Sequence, residues 1–320
     1  MRVAGVFVNY RTSELTLRAA KALLDELRTL GSTHIFIVDN DSGDGSVERL
    51  RAGVADPSWG GQATVIAAPR NGGYGYGINL AVREALRHPE PPDYLHVMNT
   101  DAFPEPGSIR KMLDFAEQHP DAGLVGSVIQ GPDGVPQGAA FRFHSVWSEL
   151  ERGACLGLLS GVLKRYVVSP PVPSSSVEVD WLPGTSMLIR RGVFEAGVFF
   201  DEEFFLYYEE VDFARQVWEA GFRAYFVADA PITHIGSYST GLADMQKPIP
   251  LYCYDSRHRY FTKHHGRTYA VACDAAWVLG HMVFRFKNFA LRRNEPRRPR
   301  LLRDFVITSL KFVRGADTAA

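Results

Sequence analysis

The chain has 320 residues, 46% hydrophobic and 22% charged, the makeup of a globular protein with one large domain or one domain and an appendage. A formal net charge of −1 leaves no surplus of Lys and Arg to neutralise phosphates, which excludes a general nucleic-acid binder. Three widely spaced cysteines, Cys155, Cys253 and Cys273, exclude a disulfide framework and a cysteine zinc site and suit a reducing compartment.

Met1-Arg2 leads straight into an apolar run over residues 3–8, too short for a signal peptide and read as a first buried strand. The expected location is therefore the cytoplasm. Thr12 or Ser13 can cap a helix whose stripe is Leu15, Ala19, Leu23, Leu27 and Leu30, with Gly31 as its stop. Residues 34–38 predict a second strand, ending in the polar string Asp39-Asn40-Asp41-Ser42-Gly43-Asp44-Gly45-Ser46, and residues 63–67 a third. The glycine-rich string from Asn71 to Gly77 runs into a helix marked by Ile78, Ala81, Val82, Ala85 and Leu86. A fourth strand over 94–98 is capped by Asn99-Thr100-Asp101. Strands separated by single helices predict right-handed crossovers and a mainly parallel sheet, whose C-terminal edge binds ligands.

After the turn at Gly131-Pro132-Asp133-Gly134 the alternation stops. Residues 140–180, including the Pro/Ser segment 169–176, read as a connection or lid. A strand over 186–189, a helix over 209–220 and a strand over 223–227 follow. Residues 269–286 are apolar but interrupted by Asp274, His281 and Arg285, too broken for a membrane span. Arg292, Arg293, Arg297, Arg298, Arg300 and Arg303 form a basic cluster suited to anionic headgroups. Peripheral attachment to the inner face of the plasma membrane and a soluble helical arm are the two readings of this end. The expected division is 1–265, with a nucleotide half 1–130 and an acceptor half 131–265, followed by a helical, basic extension over 266–320.

Five motifs carry chemistry. Asn99 and Asp101, one residue apart at a strand end, point the same way along the pleat and can share a hard cation; a plain turn explains them equally well. Asp39 can accept from a base imide or a ribose hydroxyl, or belong to a solvated loop. The glycines of 71–77 let backbone approach a ligand ahead of a helix N-terminus. Their spacing is not that of a dinucleotide fingerprint, and Asn9-Tyr10-Arg11 after the first strand holds no glycine. Glu209, Glu210 and Asp212 open a helix, where they complement its dipole; the surrounding aromatics favour a desolvated carboxylate with general-base character. His234 follows a strand and is a structural histidine unless a metal site claims it.

Taken in order, these residues resemble family 2 glycosyltransferases of the bacterial rhamnosyltransferase-like branch, over about residues 3–265. The resemblance rests on Val8-Asn9-Tyr10, Val38-Asp39-Asn40 with Ser42 and Asp44-Gly45-Ser46, and Asn71, Gly73, Tyr74, Gly77 and Asn79. It continues through Asn99-Thr100-Asp101, Trp181-Leu182-Pro183-Gly184-Thr185, the 205–212 acidic motif, Ala220-Gly221-Phe222, and His234 with Ser239-Thr240-Gly241. It implies an α/β GT-A fold, Mg²⁺ or Mn²⁺, a dTDP- or UDP-sugar donor and inversion at the anomeric carbon. Rhamnose is the branch's common sugar, and the acceptor is a glycan or lipid-linked saccharide of cell-surface polysaccharide synthesis. It implies that Val8, Asn9, Tyr10, Asp39, Asn71, Gly73, Asn79, Asn99 and Thr100 hold the donor. Asp101 and His234 would ligate the metal, with Asn99 replacing the first Asp of the usual triplet. Trp181, Gly184 and Thr185 would line the acceptor side, and Asp212 would order the acidic helix. The family's base is usually an Asp where this chain has Glu210, so Glu209 stands as a second candidate. Arg215 precedes Gln216, where the family's Arg is expected, and is a candidate contact to the donor diphosphate. Homo-oligomer formation is left open.

Two rival classes remain at this stage. A sugar nucleotidyltransferase would carry a Gly-rich, basic loop after its first strand, which Asn9-Tyr10-Arg11-Thr12 does not supply. A non-catalytic sugar-nucleotide-binding module would need no acidic helix.

Overall fold

The computed structural model describes residues 1–236, 245–293, 295 and 297–315; Ser239-Thr240-Gly241 lies outside the described residues. The chain runs β1 (Arg2–Asn9), α1 (Ser13–Arg28), β2 (Ser32–Asp39), α2 (Ser46–Val54), β3 (Ala63–Ala67), α3 (Tyr74–Leu86), β4 (Tyr94–Met98), β5 (Ala102–Pro104), α4 (Ser108–Gln118) and β6 (Ala122–Gln130). It continues with α5 (Val146–Ala154), α6 (Gly157–Val162), β7 (Val177–Val179), β8 (Ser186–Arg190), α7 (Arg191–Glu195), α8 (Glu209–Glu219), β9 (Arg223–His234), α9 (Leu251–His265), α10 (Arg267–Ala290) and α11 (Leu301–Arg314).

The described residues fall into two compact units, one drawn from Met1–Phe141, Pro171–Phe205 and Glu209–Ser239, the other from Arg142–Pro170, Leu206–Tyr208 and Thr240–Ala320. This differs from the boundary at 265: α9 and the 142–170 segment group with the C-terminal helices.

The first unit holds one sheet in the order β3-β2-β1-β4-β8-β6-β9-β5, with β7 also paired to β9. The β3-β2-β1-β4 part is parallel, as the alternation predicts. Beyond it the sheet is mixed: β8 runs antiparallel to both β4 and β6, while β6 and β9 are parallel. The apolar runs of β1 and β4 are buried because helices cover both sheet faces, and Val6, Phe7, Ile35, Ile37, Leu95 and Leu188 form the core there. With β1 flanked by β2 on one side and β4 on the other, the strand order reverses at β1. In open α/β sheets such a reversal marks the strand ends where ligands bind.

Two local readings change. No side-chain cap comes from Thr12 itself; instead Asn9 Oδ1 accepts from the Thr12 N–H (3.3 Å) and from the Thr12 and Thr16 hydroxyls (3.2 and 2.7 Å), fixing the start of α1. The helix α3 starts at Tyr74, inside the glycine string. Gly73 has φ +90°, and a Cβ there would collide with the Phe205 backbone, which accepts from the Tyr74 N–H at 3.1 Å. That glycine serves a chain crossing within the unit as well as any ligand.

The second unit contains the segment that sequence patterning left as a connection: α5 and α6 occupy most of residues 146–162. Its buried polar centre explains Asp274, the acid that interrupts the apolar run of α10. Arg257 of α9 donates to Glu149 Oε2 of α5 at 3.0 Å and to Asp274 Oδ1, while His258 Nε2 lies 2.9 Å from Asp274 Oδ2. Burial raises the Glu149 carboxyl, but Arg152 and Arg257 together outweigh it and hold the group well below the usual carboxylate range. Among the described residues no helix is long and apolar enough to cross a membrane.

Candidate active site

All the residues of this site belong to the first unit. Asn9 and Asp39 are register partners at the ends of β1 and β2. Asn9 Nδ2 donates to Asp39 Oδ1 at 2.6 Å, the Ser42 hydroxyl donates to the same oxygen at 2.6 Å, and the Ser42 N–H donates to Asp39 Oδ2 at 3.1 Å. Ser42 Oγ also accepts from the Arg11 N–H at 2.9 Å. Asn9 is fully buried, and both ends of its amide are engaged. Its amide thereby fixes the Asp39 carboxylate and the start of α1 in place. Tyr10 is half-buried, with the Arg11 guanidinium 4.9 Å from its ring centre. The Val8 side chain meets α3 at Gly77.

Asn40, which the sequence reading gives only as the neighbour of Asp39 in the motif, has contacts of its own. Its Nδ2 donates to Asn71 Oδ1 (2.9 Å) and Gly73 O (3.0 Å), tying the loop after β2 to the one before α3. Asn71 Oδ1 also accepts from the Gly73 N–H at 3.2 Å. Asn79 does not join this group. It is fully buried, donating to Phe200 O (2.8 Å) and Glu202 Oε1 (2.9 Å) and accepting from the Phe200 N–H (3.1 Å), so it pins α3 to the 200–202 loop.

The triplet lies beyond β4, not on it. The chain turns there, with the Ala102 N–H donating to Asn99 O at 3.2 Å. Consequently Asn99 and Asp101 do not share one face of a pleat. Asn99 Oδ1 lies 3.0 Å from the Tyr74 hydroxyl, and Asp101 Oδ1 lies 3.1 Å from His234 Nε2. Thr100 is buried, its hydroxyl accepting from Thr12 at 3.4 Å. His234 ends β9 and pairs in register with Ala102, directly after Asp101. Among the described residues no three His, Cys, Asp or Glu side chains gather to hold a metal. Asp101 with His234 still fits Mg²⁺ or Mn²⁺ of the kind that takes one or two protein ligands and completes its shell with phosphate and water.

The acidic residues open α8, after Tyr207 and Tyr208 at φ 66° and 67°, a left-handed conformation that tyrosines rarely adopt. Glu210 Oε1 accepts from the Gly184 N–H at 2.9 Å. Gly184 O and Asn99 Oδ1 both lie 3.0 Å from the Tyr74 hydroxyl. Gly184 has no room for a Cβ, which would sit 2.9 Å from Glu210 Oε1 and 2.8 Å from the Tyr74 ring. Tyr74 thus joins the triplet to the acidic helix, a role that reading it as one letter of a glycine string concealed. Burial, then Glu210, Glu209 and Asp101, push its phenol well above the ordinary tyrosine range, so it stays protonated as a donor.

Burial also raises both carboxyls of the pair. The Glu210 group is partly offset by its Gly184 hydrogen bond, and the Glu209 group is raised further by Glu210. Glu209 is 1% exposed and its Oε2 lacks a protein partner, whereas Glu210 is half-buried and faces Gly184. Asp212 is fully buried and accepts from Gln216 Nε2 at 2.7 Å, an i,i+4 contact that steadies the helix start. Arg215 donates to Glu219 Oε1 at 3.0 Å along the outside of α8. Trp181 stacks on Phe141, centroids 4.3 Å apart, and Thr185 O accepts from the Asn99 N–H at 3.1 Å.

Residues 6–157 match the family model for glycosyl transferase family 2. A Mycobacterium tuberculosis protein named N-acetylglucosaminyl-diphospho-decaprenol L-rhamnosyltransferase is 29% identical over 226 residues, covering 67% of this chain and 70% of its own. Among solved structures, Staphylococcus aureus TarS 1-349 in complex with UDP-GlcNAc superposes with TM-score 0.58 at 12% identity, covering 99% of this chain and 82% of that one. The Pyrobaculum calidifontis mannosyltransferase PcManGT in complex with GDP-Man and Mn²⁺ does so with TM-score 0.56 at 15% identity, covering 99% and 88%. The fold is that of GT-A glycosyltransferases, and the chain is similar to glycosyl transferase family 2 over residues 6–157 and to the mycobacterial protein over 226 residues.

Proposed function

We propose that this glycosyltransferase moves a hexose, rhamnose first among the candidates, from a dTDP- or UDP-sugar to a hydroxyl of a lipid-linked saccharide, with inversion. The observation that carries the reading is the linkage of Asp101–His234 to Glu210 through Asn99, Tyr74 and Gly184. A metal neutralises charge on a leaving diphosphate, and Asp101 and His234 would hold it. Asp39, fixed by Asn9 and Ser42, is oriented to accept from the base or ribose. Glu210 takes the proton of the acceptor hydroxyl as its oxygen bonds to the anomeric carbon and the bond to the nucleoside diphosphate breaks. The protonated Tyr74 holds Asn99 and Gly184 in register with that base. The name of the mycobacterial relative supports both rhamnose and a lipid-linked acceptor. The nucleotidyltransferase reading is disfavoured because Asn9 seals the end of β1 where a triphosphate loop would lie.

Screening nucleotide sugars by thermal shift with Mn²⁺ tests the donor. A dTDP-hexose or UDP-hexose is expected to raise Tm by several degrees, and a response to nucleoside triphosphates alone would contradict the reading.

We place the reaction at the inner face of a membrane, reached peripherally. On α10, Leu279, Met282, Phe286 and Phe289 follow one helical face and are 56%, 60%, 72% and 83% exposed. The arginines after it supply the complementary charge. Flotation with anionic vesicles is expected to carry the protein at low salt and release it at high salt. Full solubility, or salt-independent dimers burying this face, would contradict it.

A further inference from the structure

The helical unit contains two cavities that share walls. The larger, about 620 Å³, lies between the end of α10 and the start of α11, and Arg285, Arg293, Arg297, Arg298, Arg300 and Arg303 all line it. Its acid is Glu295, already met by Lys287 at 3.2 Å and Arg293 at 3.8 Å. Arg297 lies over the Phe284 ring at 4.0 Å. Among the described residues Arg285, Arg300 and Arg303 make no ion pair. Arg300 is moreover held at φ 59°, and such strain persists at ligand clamps where the surroundings over-determine it. Six guanidinium groups around one concavity set up a positive potential that favours an anion of more than one charge.

The second cavity, about 350 Å³, shares Arg297, Arg298 and Leu301 with the first. Its other walls are mainly apolar: Ile249, Tyr254, Trp277 and Phe305, with the Trp277 and Phe305 rings stacked 4.0 Å apart. Tyr207 and Tyr208 also line it, and Glu209 follows them directly in the chain. A basic pocket that shares a wall with an aromatic one matches a ligand with adjacent phosphates and a hydrocarbon tail. A phospholipid with one phosphate needs no concave cage, cardiolipin carries its two phosphates apart on a glycerol bridge and not directly linked, and a nucleotide needs no apolar groove.

We propose that these two neighbouring cavities bind the isoprenoid diphosphate portion of the acceptor, the arginines holding the diphosphate and the apolar walls taking the first isoprene units. This rests on the reading of the acceptor as lipid-linked. Calorimetry on the full chain with farnesyl diphosphate, inorganic pyrophosphate and farnesol tests it. Farnesyl diphosphate is expected to bind at least tenfold more tightly than either fragment. The double variant Arg285→Gln/Arg303→Gln should weaken it tenfold or more, while its donor-induced thermal shift stays at the wild-type value. Equal binding of pyrophosphate and farnesyl diphosphate, displacement of farnesyl diphosphate by dTDP with Mn²⁺, or unchanged affinity in the double variant would each overturn the proposal. Transfer to a lipid-free saccharide separates the two claims: it persists in the double variant if the catalytic reading holds, and its absence in wild type would strike that reading without touching the cavity.

Discussion

Replacing Glu210 with glutamine is expected to lower turnover by about 10²–10⁴-fold while donor binding persists, the range that general-base catalysis contributes. Glutamine keeps the acceptor for the Gly184 N–H but cannot take a proton. Because burial raises this carboxyl, the acidic limb of the rate profile should lie above the ordinary carboxylate range. The base works as carboxylate, so activity falls as pH drops through that raised value, and the limb should vanish in the variant. Glu209→Gln should keep most of the activity. A carboxyl raised on folding contributes stability below its unfolded pKa and loses that contribution as pH rises through the folded value. At neutral pH Glu209→Gln is therefore expected to raise Tm, whereas Asp212→Asn should lower it by weakening the contact to Gln216. Turnover and Tm for the three variants check this; loss of turnover in Glu209→Gln with retention in Glu210→Gln would shift the base by one residue.

Asp101→Ala is expected to cost on the order of 10²-fold or more in transfer, the scale of several kcal/mol that a metal supplies against leaving-group charge. EDTA should inhibit the wild type and Mn²⁺ restore it. Calorimetric titration should show the metal-dependent part of donor affinity gone from the variant, and His234→Ala should fall between. Full wild-type activity in excess EDTA would remove the metal from the mechanism.

The parallel half of the sheet was legible because each apolar run ends in a polar loop, and those loops hold Asp39, Asn71 and Asp101. The acidic helix was legible from three acids among aromatics. What failed was geometry across the chain. The pleat argument for Asn99 and Asp101 assumed a strand where the chain turns, so each side chain meets a different partner. Asn9 and Asn79 read as ligands because sequence cannot show that their amides close on Asp39, Thr16 and Phe200. Tyr74 and Asn40 act across 25 and 31 residues, a separation no local pattern reports. The short helix α5 escaped because its capping box is closed by Ser148 in place of the usual Glu or Gln. Asp274 looked like a break in an apolar run until Arg257 and His258 were found beside it.

The most direct test is a time course with the selected nucleotide sugar and a saccharide acceptor, following nucleoside diphosphate and glycoside together. One nucleoside diphosphate is predicted per sugar transferred, only when acceptor is present, with the anomeric configuration inverted. Release at the same rate without acceptor, or a product of retained configuration, would contradict direct displacement with Glu210 as base.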